Sequence, residues 1–152
     1  MIGEANRSRA LGFTIIELTT VIVIVSILAV VAVAKLTSVD RYQVYGFFES
    51  GKAAARFAQK VAVAQRTNVV LVVTPTSINV CYASAACTTP VTDPATGQAM
   101  TVSAPDGISV TGPATILFDG LGRATTGGII TVNGAGMTHS LIVEQDTGYV
   151  HD

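Results

Sequence analysis

A long apolar run near the start of the chain, interrupted by one carboxylate, constrains the fold more than any other feature. Residues 12–34 read GFTIIELTTVIVIVSILAVVAVA, and Glu17 is the only charged residue among them. As a helix, residues 13–34 would be about 33 Å long, which is enough to cross a hydrocarbon core of about 30 Å. An acid at the centre of a bilayer costs about 2.5–3.5 kcal/mol, so a carboxylate kept in such a helix is expected to have a partner.

Two ordinary explanations account for an apolar run in this place. Ala32-Val33-Ala34 is typical of a signal-peptidase site, and cleavage there would release a soluble chain that starts at Lys35. The run is longer than the usual signal-peptide core of about 7–15 residues, however, and Glu17 would then be unexplained. The other explanation is a plain membrane anchor that is not cleaved, preceded by positive charge on its cytoplasmic side.

A third explanation comes from the string GFTIIEL at 12–18, which resembles the class III leader of type IV pilins and type II secretion pseudopilins. The resemblance implies that a prepilin peptidase cuts between Gly12 and Phe13, that Phe13 is N-methylated, and that Glu17 is the family's glutamate at the fifth mature position. A free α-amine is largely cationic at neutral pH and needs a counter-charge inside an apolar helix bundle. We therefore expect an assembly salt bridge between the amine of Phe13 and Glu17 of a neighbouring subunit, which would set the register between subunits.

The resemblance and the residue pattern divide the chain into four segments. These are a cleaved leader at 1–12, a transmembrane and filament-core helix at 13–34, an amphipathic continuation of the helix at 35–67, and a β-rich periplasmic domain at 68–152. Residues at helical spacing form an apolar stripe in the third segment. Packing on a sheet is the expected role of this stripe, and a docking groove for another subunit is the alternative. The stripe consists of Phe47, Ala54, Phe57, Val61 and Ala64, and the same spacing continues to the polar Asn68 at the start of the fourth segment.

Short β-branched runs separated by glycine, proline and aspartate follow Arg66. They predict strands at 68–74, 77–82, 99–103, 108–110, 115–118, 129–132, 140–144 and 148–150. The order indicates an α+β fold, in which a long N-terminal α-helix, transmembrane in its first half, packs on a C-terminal antiparallel β domain. The strings FDGLG at 118–122 and EQDTGYV at 144–150 resemble the C-terminal domain of GspH/FimT-type minor pilins and pseudopilins, with MSHA-type minor pilins as close relatives.

Cys81 and Cys87 are the two cysteines of the chain. A disulfide in an oxidising compartment is the expected outcome, worth at best about 2–3 kcal/mol for so short a loop. The alternative is a metal site with His139 or His151 as further ligands, but C-x₅-C is not a usual zinc spacing. The sequence indicates no catalytic site either. His139 and the next residue point to opposite faces of a predicted strand, and no G-x-S-x-G elbow is present. We expect no enzymatic activity, no cofactor and no metal.

Positive charge is concentrated in one part of the chain, because Arg123 is the only lysine or arginine after Arg66. Nonspecific DNA binding needs clustered cations that displace counterions from phosphates. Lys52, Arg56 and Lys60 form the one candidate row, since i, i+4 spacing places them on one helix face, off the apolar stripe and towards water or a partner. DNA capture for uptake is therefore the alternative function, and nucleic acid is the less favoured partner.

The resemblance implies a structural and assembly role in a type IV pilus or a type II secretion pseudopilus. The implied partners are prepilin peptidase, other major and minor pilins or pseudopilins, and the platform and ATPase of the assembly machine. The implied location is the bacterial inner membrane, crossed once with the C-terminal domain in the periplasm, and then the filament. The remaining alternatives are a plain membrane-anchored periplasmic domain and an anchored enzyme, which would need a pocket with convergent polar groups.

Overall fold

The computed structural model describes residues 14–82 and 86–152, without the side chains of residues 31–39. Gly12 and Phe13, and with them the predicted cleavage and methylation sites, lie outside the described residues. The chain forms two compact units, Met1–Thr37 and Ser38–Asp152.

One helix, α1, runs from Ile15 to Gln65. Proline, the usual cause of a sharp kink, is absent before Pro75, so the backbone hydrogen bonding continues through the whole helix. Within the described part of the chain, no helix combines the length and apolar composition needed to cross a membrane. The transmembrane helix predicted at 13–34 is therefore not found there.

The helix ends at a residue in the left-handed conformation. Arg66 has a φ of 50°, and its N–H donates to the carbonyl of Val63 at 3.4 Å, while the N–H of Thr67 donates to the carbonyl of Ala62 at 3.2 Å. These two bonds form a Schellman motif, in which glycine is the usual left-handed residue. The motif satisfies the last carbonyls of α1 and turns the chain towards the first strand.

Eight strands in the second unit form two antiparallel four-stranded sheets. The strands are β1 (Val69–Thr74), β2 (Ser77–Tyr82), β3 (Thr101–Ser103), β4 (Ser109–Thr111), β5 (Thr115–Phe118), β6 (Gly128–Gly134), β7 (Met137–Val143) and β8 (Val150–His151). The order is β3-β2-β1-β5 in one sheet and β4-β6-β7-β8 in the other. Each strand predicted from sequence overlaps one of these, and the prediction of an α+β fold with an antiparallel β domain is confirmed.

A single hydrophobic core joins α1 to both sheets. The helix contributes Val44, Phe47, Phe48, Ala54, Ala55, Ala58, Val61 and Ala62. The four alanines, together with Gly51, allow α1 to pack closely against the sheets. A Cβ at Gly51 would lie 2.8 Å from Cδ1 of Ile78 on β2. A side chain at this position would therefore displace the end of Ile78, and the glycine costs about 1 kcal/mol in helix propensity.

The buried face of α1 differs in part from the predicted stripe. Phe47, Ala54 and Val61 are buried as expected, and Phe57 is partly buried against the core. Ala64 and Asn68, however, are exposed. The buried face follows the 3.6-residue period through alanines and a glycine, which carry a weak hydrophobic signal. It also includes Val44, Phe48, Ala55, Ala58 and Ala62, so it is wider than the single line of positions in the predicted stripe.

Candidate functional site

The start of α1 is built by Thr14 and Glu17. Oγ1 of Thr14 accepts a hydrogen bond from the backbone N–H of Glu17 at 3.3 Å, so Thr14 is the N-cap of the helix. The T-x-x-E spacing is the sequence signature of a capping box, and it could have predicted this helix start. The Glu17 side chain is exposed and makes no ion pair with the described residues. Its carboxylate is thus available to a partner.

The apolar residues of the first part of α1, from Ile15 to Val30, are exposed on every side of the helix. Their large side chains, between 49 and 85% exposed, are Ile15, Ile16, Leu18, Val21, Ile22, Val23, Ile24, Val25, Ile27, Leu28 and Val30. The hydroxyl groups in this part of the helix bond to its backbone, as in Ser26, whose Oγ donates to the carbonyl of Ile22 at 2.7 Å. A helix that is apolar all round is normally covered by lipid or by other helices.

The prediction that the basic row faces water or a partner is wrong for Lys52. The residue is only 9% exposed. Its Nζ lies 2.9 Å from Oδ1 of Asp152 and 3.4 Å from Oε1 of Glu49, and 5.4 Å from the centre of the Phe48 ring. The hydrogen bond with Asp152 raises the pKa of Lys52 and lowers the pKa of Asp152. The partner lies 100 residues away along the chain, so helical spacing could not reveal the burial.

Arg56 also forms hydrogen bonds within the chain. Its Nη2 and Nε donate to the carbonyl of Val150 at 3.0 and 3.4 Å, which fixes β8 to the helix. Lys60 is exposed and makes no ion pair among the described residues. Lys52, Arg56 and Lys60 do line one surface hollow of about 240 Å³. Two of the three residues predicted to contact DNA therefore bond to C-terminal residues, and of these two Lys52 is buried while Arg56 is exposed.

The predicted disulfide between Cys81 and Cys87 is confirmed, with the two Cα atoms 5.2 Å apart. The two histidines considered as further metal ligands have other contacts. The His139 ring packs 5.1 Å from the Phe48 ring, and Nε2 of His151 lies 3.1 Å from Oε1 of Glu144. Among the described residues, no three metal-ligating side chains lie close enough together to hold an ion.

The FDGLG string forms a turn that is fixed by Asp119. Oδ1 of Asp119 accepts hydrogen bonds from the N–H groups of Leu121 and Arg123, each at 2.9 Å, and Oδ2 accepts from Nε of Arg123 at 2.9 Å. These bonds, led by the one from the Arg123 backbone, hold the pKa of Asp119 below its ordinary value. The turn is therefore a preorganised structure with Leu121 at its tip.

Two glycines allow this turn to rest on the C-terminal end of α1. A Cβ at Gly120 would lie 2.9 Å from the carbonyl carbon of Arg66, and a Cβ at Gly122 would lie 2.7 Å from a methyl group of Val63. Gly122 also has a φ of 81°, which side chains disfavour. The sequence indicates FDGLG only through a resemblance, whereas the structure shows that the string contacts the end of the helix.

A long N-terminal helix whose second half packs on two antiparallel sheets defines a type IV pilin-like fold. Two crystal structures of the type IV minor pilin FimU of Pseudomonas aeruginosa (strain PAO1) are similar to this chain. The structure in space group P21 has a TM-score of 0.56 and 13% identity, covering 73% of this chain and 88% of that chain. The structure in space group P65 has a TM-score of 0.52 and 12% identity, covering 70% and 90%.

No protein-family model and no curated protein sequence matches the chain. At 12–13% identity the likeness to FimU shows the fold alone. The chain has a type IV minor pilin-like fold, and the resemblance inferred from GFTIIEL and FDGLG is confirmed at that level.

Proposed function

We propose that this protein is a minor pilin, a structural and assembly subunit of a type IV pilus or of the related type II secretion pseudopilus. One observation carries the proposal: the FimU-like fold and the GFTIIEL string occur in the same chain, with the string at the start of its long helix. Such a subunit needs no active site, because the assembly ATPase and platform supply the work. Its other partners are major and minor pilins.

Before assembly, the subunit is stored in the bacterial inner membrane with its second unit in the periplasm. A prepilin peptidase then cuts between Gly12 and Phe13 and methylates the amine of Phe13. Two features support this pathway. The apolar side chains at 15–30 are exposed and require a cover, and the disulfide suits an oxidising compartment.

In the filament, the amine of Phe13 pairs with Glu17 of a neighbouring subunit. The exposed carboxylate of Glu17, which makes no ion pair with a described residue and lies at the start of the apolar part of α1, supports this role. When neighbouring helices cover that surface, the carboxylate is buried and needs a cation. Removing one partner of a buried pair costs about 3–5 kcal/mol. The pair therefore selects the axial register of the helices.

The first test is the N-terminus of the mature protein, isolated from membranes and measured by intact mass and terminal sequencing. A chain that starts at N-methylated Phe13 is the expected result. A chain that starts at Lys35 or at Met1 would contradict the proposed pathway, since the first is a secreted domain and the second an unprocessed anchor.

A second test uses Glu17→Gln, which keeps the size of the side chain and removes its charge. We expect normal membrane insertion and at least tenfold less incorporation into filaments, because the amine of the neighbour loses its counter-charge. Thr20→Val, one turn further along the same helix, is the matched control and should be incorporated normally. Equal incorporation of Glu17→Gln and the wild type would refute the pairing.

A further inference from the structure

Strand β7 has a neighbouring strand along its whole length on one side only. All of its residues, Met137–Val143, pair with β6, whereas β8 pairs only with Ile142 and Val143. Residues 137–141, roughly 17 Å of strand at about 3.3 Å per residue, have no strand beside them on the β8 side within the described part of the chain. We call residues 137–141 the open edge of β7.

The backbone groups that point out of the open edge belong to Thr138 and Ser140. Residues of an antiparallel strand direct their N–H and C=O groups alternately to its two neighbours. The N–H of Glu144 donates to the carbonyl of Tyr149 at 2.9 Å, so every second residue before Glu144 points to the same side. Thr138 and Ser140 are both exposed. Their N–H and C=O groups are therefore available to pair with an added strand.

The open edge lacks the features that usually protect an edge strand. β7 contains no proline and no lysine, and its register with β6 has no bulge. The edge strands β3, β4 and β5 are only three or four residues long, and Pro105 and Pro113 lie in the connections between them. Short strands and prolines discourage pairing with another chain. The open edge of β7 is thus the edge best suited to accept a further strand.

The side chains beside the open edge define what kind of strand would fit. Tyr45 of α1 is 55% exposed, and its ring lies 6.1 Å from the ring of His139, which faces α1 from the open edge. Further along the helix, Glu49 and Asp152 share the single ammonium group of Lys52, which leaves one negative charge in excess near the end of β8. An added strand would therefore place an apolar side chain against Tyr45 and a cation near Asp152.

We propose that the open edge of β7 binds an extended segment of another protein, which continues the line of β8 and pairs with Thr138 and Ser140. Main-chain hydrogen bonds give such a contact its affinity, and alternate side chains give it its specificity. The segment has a basic residue opposite Ser140 and a large apolar residue opposite His139. The described strands of this chain contain no lysine or arginine, so a strand from a second copy would not supply the cation.

The contact goes beyond the proposed pilin function and does not depend on it, because every residue of the contact belongs to the second unit. Its probe is a capped peptide with Lys-Phe-Thr-Val at its centre and glycine and serine on either side, added to the purified full-length protein in detergent. In the register that continues β8, the lysine lies opposite Ser140 and the phenylalanine opposite His139. We expect hydrogen exchange at the amides of Thr138 and Ser140, followed by NMR, to slow about tenfold or more at saturation.

Two methylated peptides test whether the contact is a strand ladder. N-methylation of the lysine and the threonine blocks the N–H groups that would face β7 and should abolish the protection. N-methylation of the phenylalanine and the valine is the matched control and should preserve it, because those N–H groups face away from β7. No protection by the parent peptide, or equal protection by both methylated peptides, would overturn the proposal.

A variant of the open edge gives a second measurement. Ser140→Pro removes the N–H that faces the added strand and leaves the pairing with β6 intact, a position where proline is tolerated. We expect it to weaken peptide binding about tenfold, whereas Ser140→Ala keeps the N–H and should bind as the wild type does. Equal binding by the two variants would overturn the proposal. If Ser140→Pro does not fold, the methylated peptides decide the question with the wild type.

The same exchange measurement distinguishes another protein from a second copy. Without peptide, we expect the amides of Thr138 and Ser140 to exchange at a rate that does not depend on protein concentration. Protection that rises with protein concentration would show that a second copy occupies the open edge, and would overturn its assignment to another protein.

Discussion

Arg66 occupies a position for which glycine is better suited. It is the left-handed residue after α1, with a φ of 50°, where the Cβ of an L residue costs about 1–2 kcal/mol. We predict that Arg66→Gly raises the free energy of unfolding by up to about 1 kcal/mol, because the relief of strain exceeds the entropy that glycine adds to the unfolded chain. Urea unfolding measures the change.

Arg66→Ala is the matched control, since it removes the same guanidinium and keeps the Cβ. Its stability should remain close to that of the wild type. If the glycine and alanine variants are equally stable, backbone strain at the helix end contributes nothing, and the argument for this position fails.

We expect His151 to make the stability of the second unit depend on pH. The hydrogen bond in which Oε1 of Glu144 accepts from Nε2 of His151, at 3.1 Å, raises the pKa of His151. A group whose pKa is raised by folding stabilises the fold fully below its unfolded pKa of about 6.5, and this stabilisation is lost as the pH rises through the folded-state pKa.

We therefore predict that Glu144→Gln lowers the midpoint of thermal unfolding at about pH 5.5 and has a smaller effect at about pH 8.5, where less of the histidine is protonated. The exposed Asp146 makes no ion pair with a described residue, so Asp146→Asn is the control and should lack this dependence. An effect of Glu144→Gln that is equal at both pH values would show that the pair has no role in stability.

At the scale of elements, the Asp119 turn and the end of α1 form one packed structure through Gly122. This glycine combines a φ of 81° with a position where a Cβ would meet Val63 at 2.7 Å. Gly136 has a similar φ of 72°, but open space surrounds the site of its Cβ. We predict that both alanine variants lose stability, about 1 kcal/mol for Gly136→Ala and roughly 2 kcal/mol or more for Gly122→Ala.

The difference between the two variants measures the docking of the turn on the helix, because the backbone strain is common to both. Chemical unfolding of the two purified variants gives the comparison. Equal losses would mean that Val63 moves aside freely and that the turn is not packed on the helix.

The elements differ in how far local sequence determines them. The strands could be predicted because β-branched runs end at glycine, proline or aspartate, which act locally. The division into two sheets could not, since pairing such as that of β1 with β5 joins residues more than forty positions apart. The burial of Lys52 depends in the same way on Asp152. The predicted site shows both cases: Cys81 and Cys87 are near neighbours in sequence, whereas the row through Arg56 is tied to a distant strand.

At the scale of the whole molecule, the two units hold their apolar residues in opposite ways. The described apolar side chains of the first unit are exposed, and the buried core residues all lie between Val44 and Val150, in the second unit. We expect the exposed apolar surface of the first unit to be covered by lipid or by other helices, and the second unit to need no such cover. The proposed function requires this separation, because the helix would move from the membrane into a filament while the second unit remains folded.

The last prediction follows from that distribution of the core. A chain that starts at Ser38 loses none of the described core residues, so it should unfold cooperatively without detergent, with a thermal midpoint within about 3 °C of that of the full chain. A chain that starts at Lys52 loses Val44, Phe47 and Phe48 from the core and should show no cooperative transition. Circular dichroism on heating measures both. If the chain from Ser38 also melts without cooperativity, residues before Ser38 are part of the folding unit, and the separation of the two units is wrong.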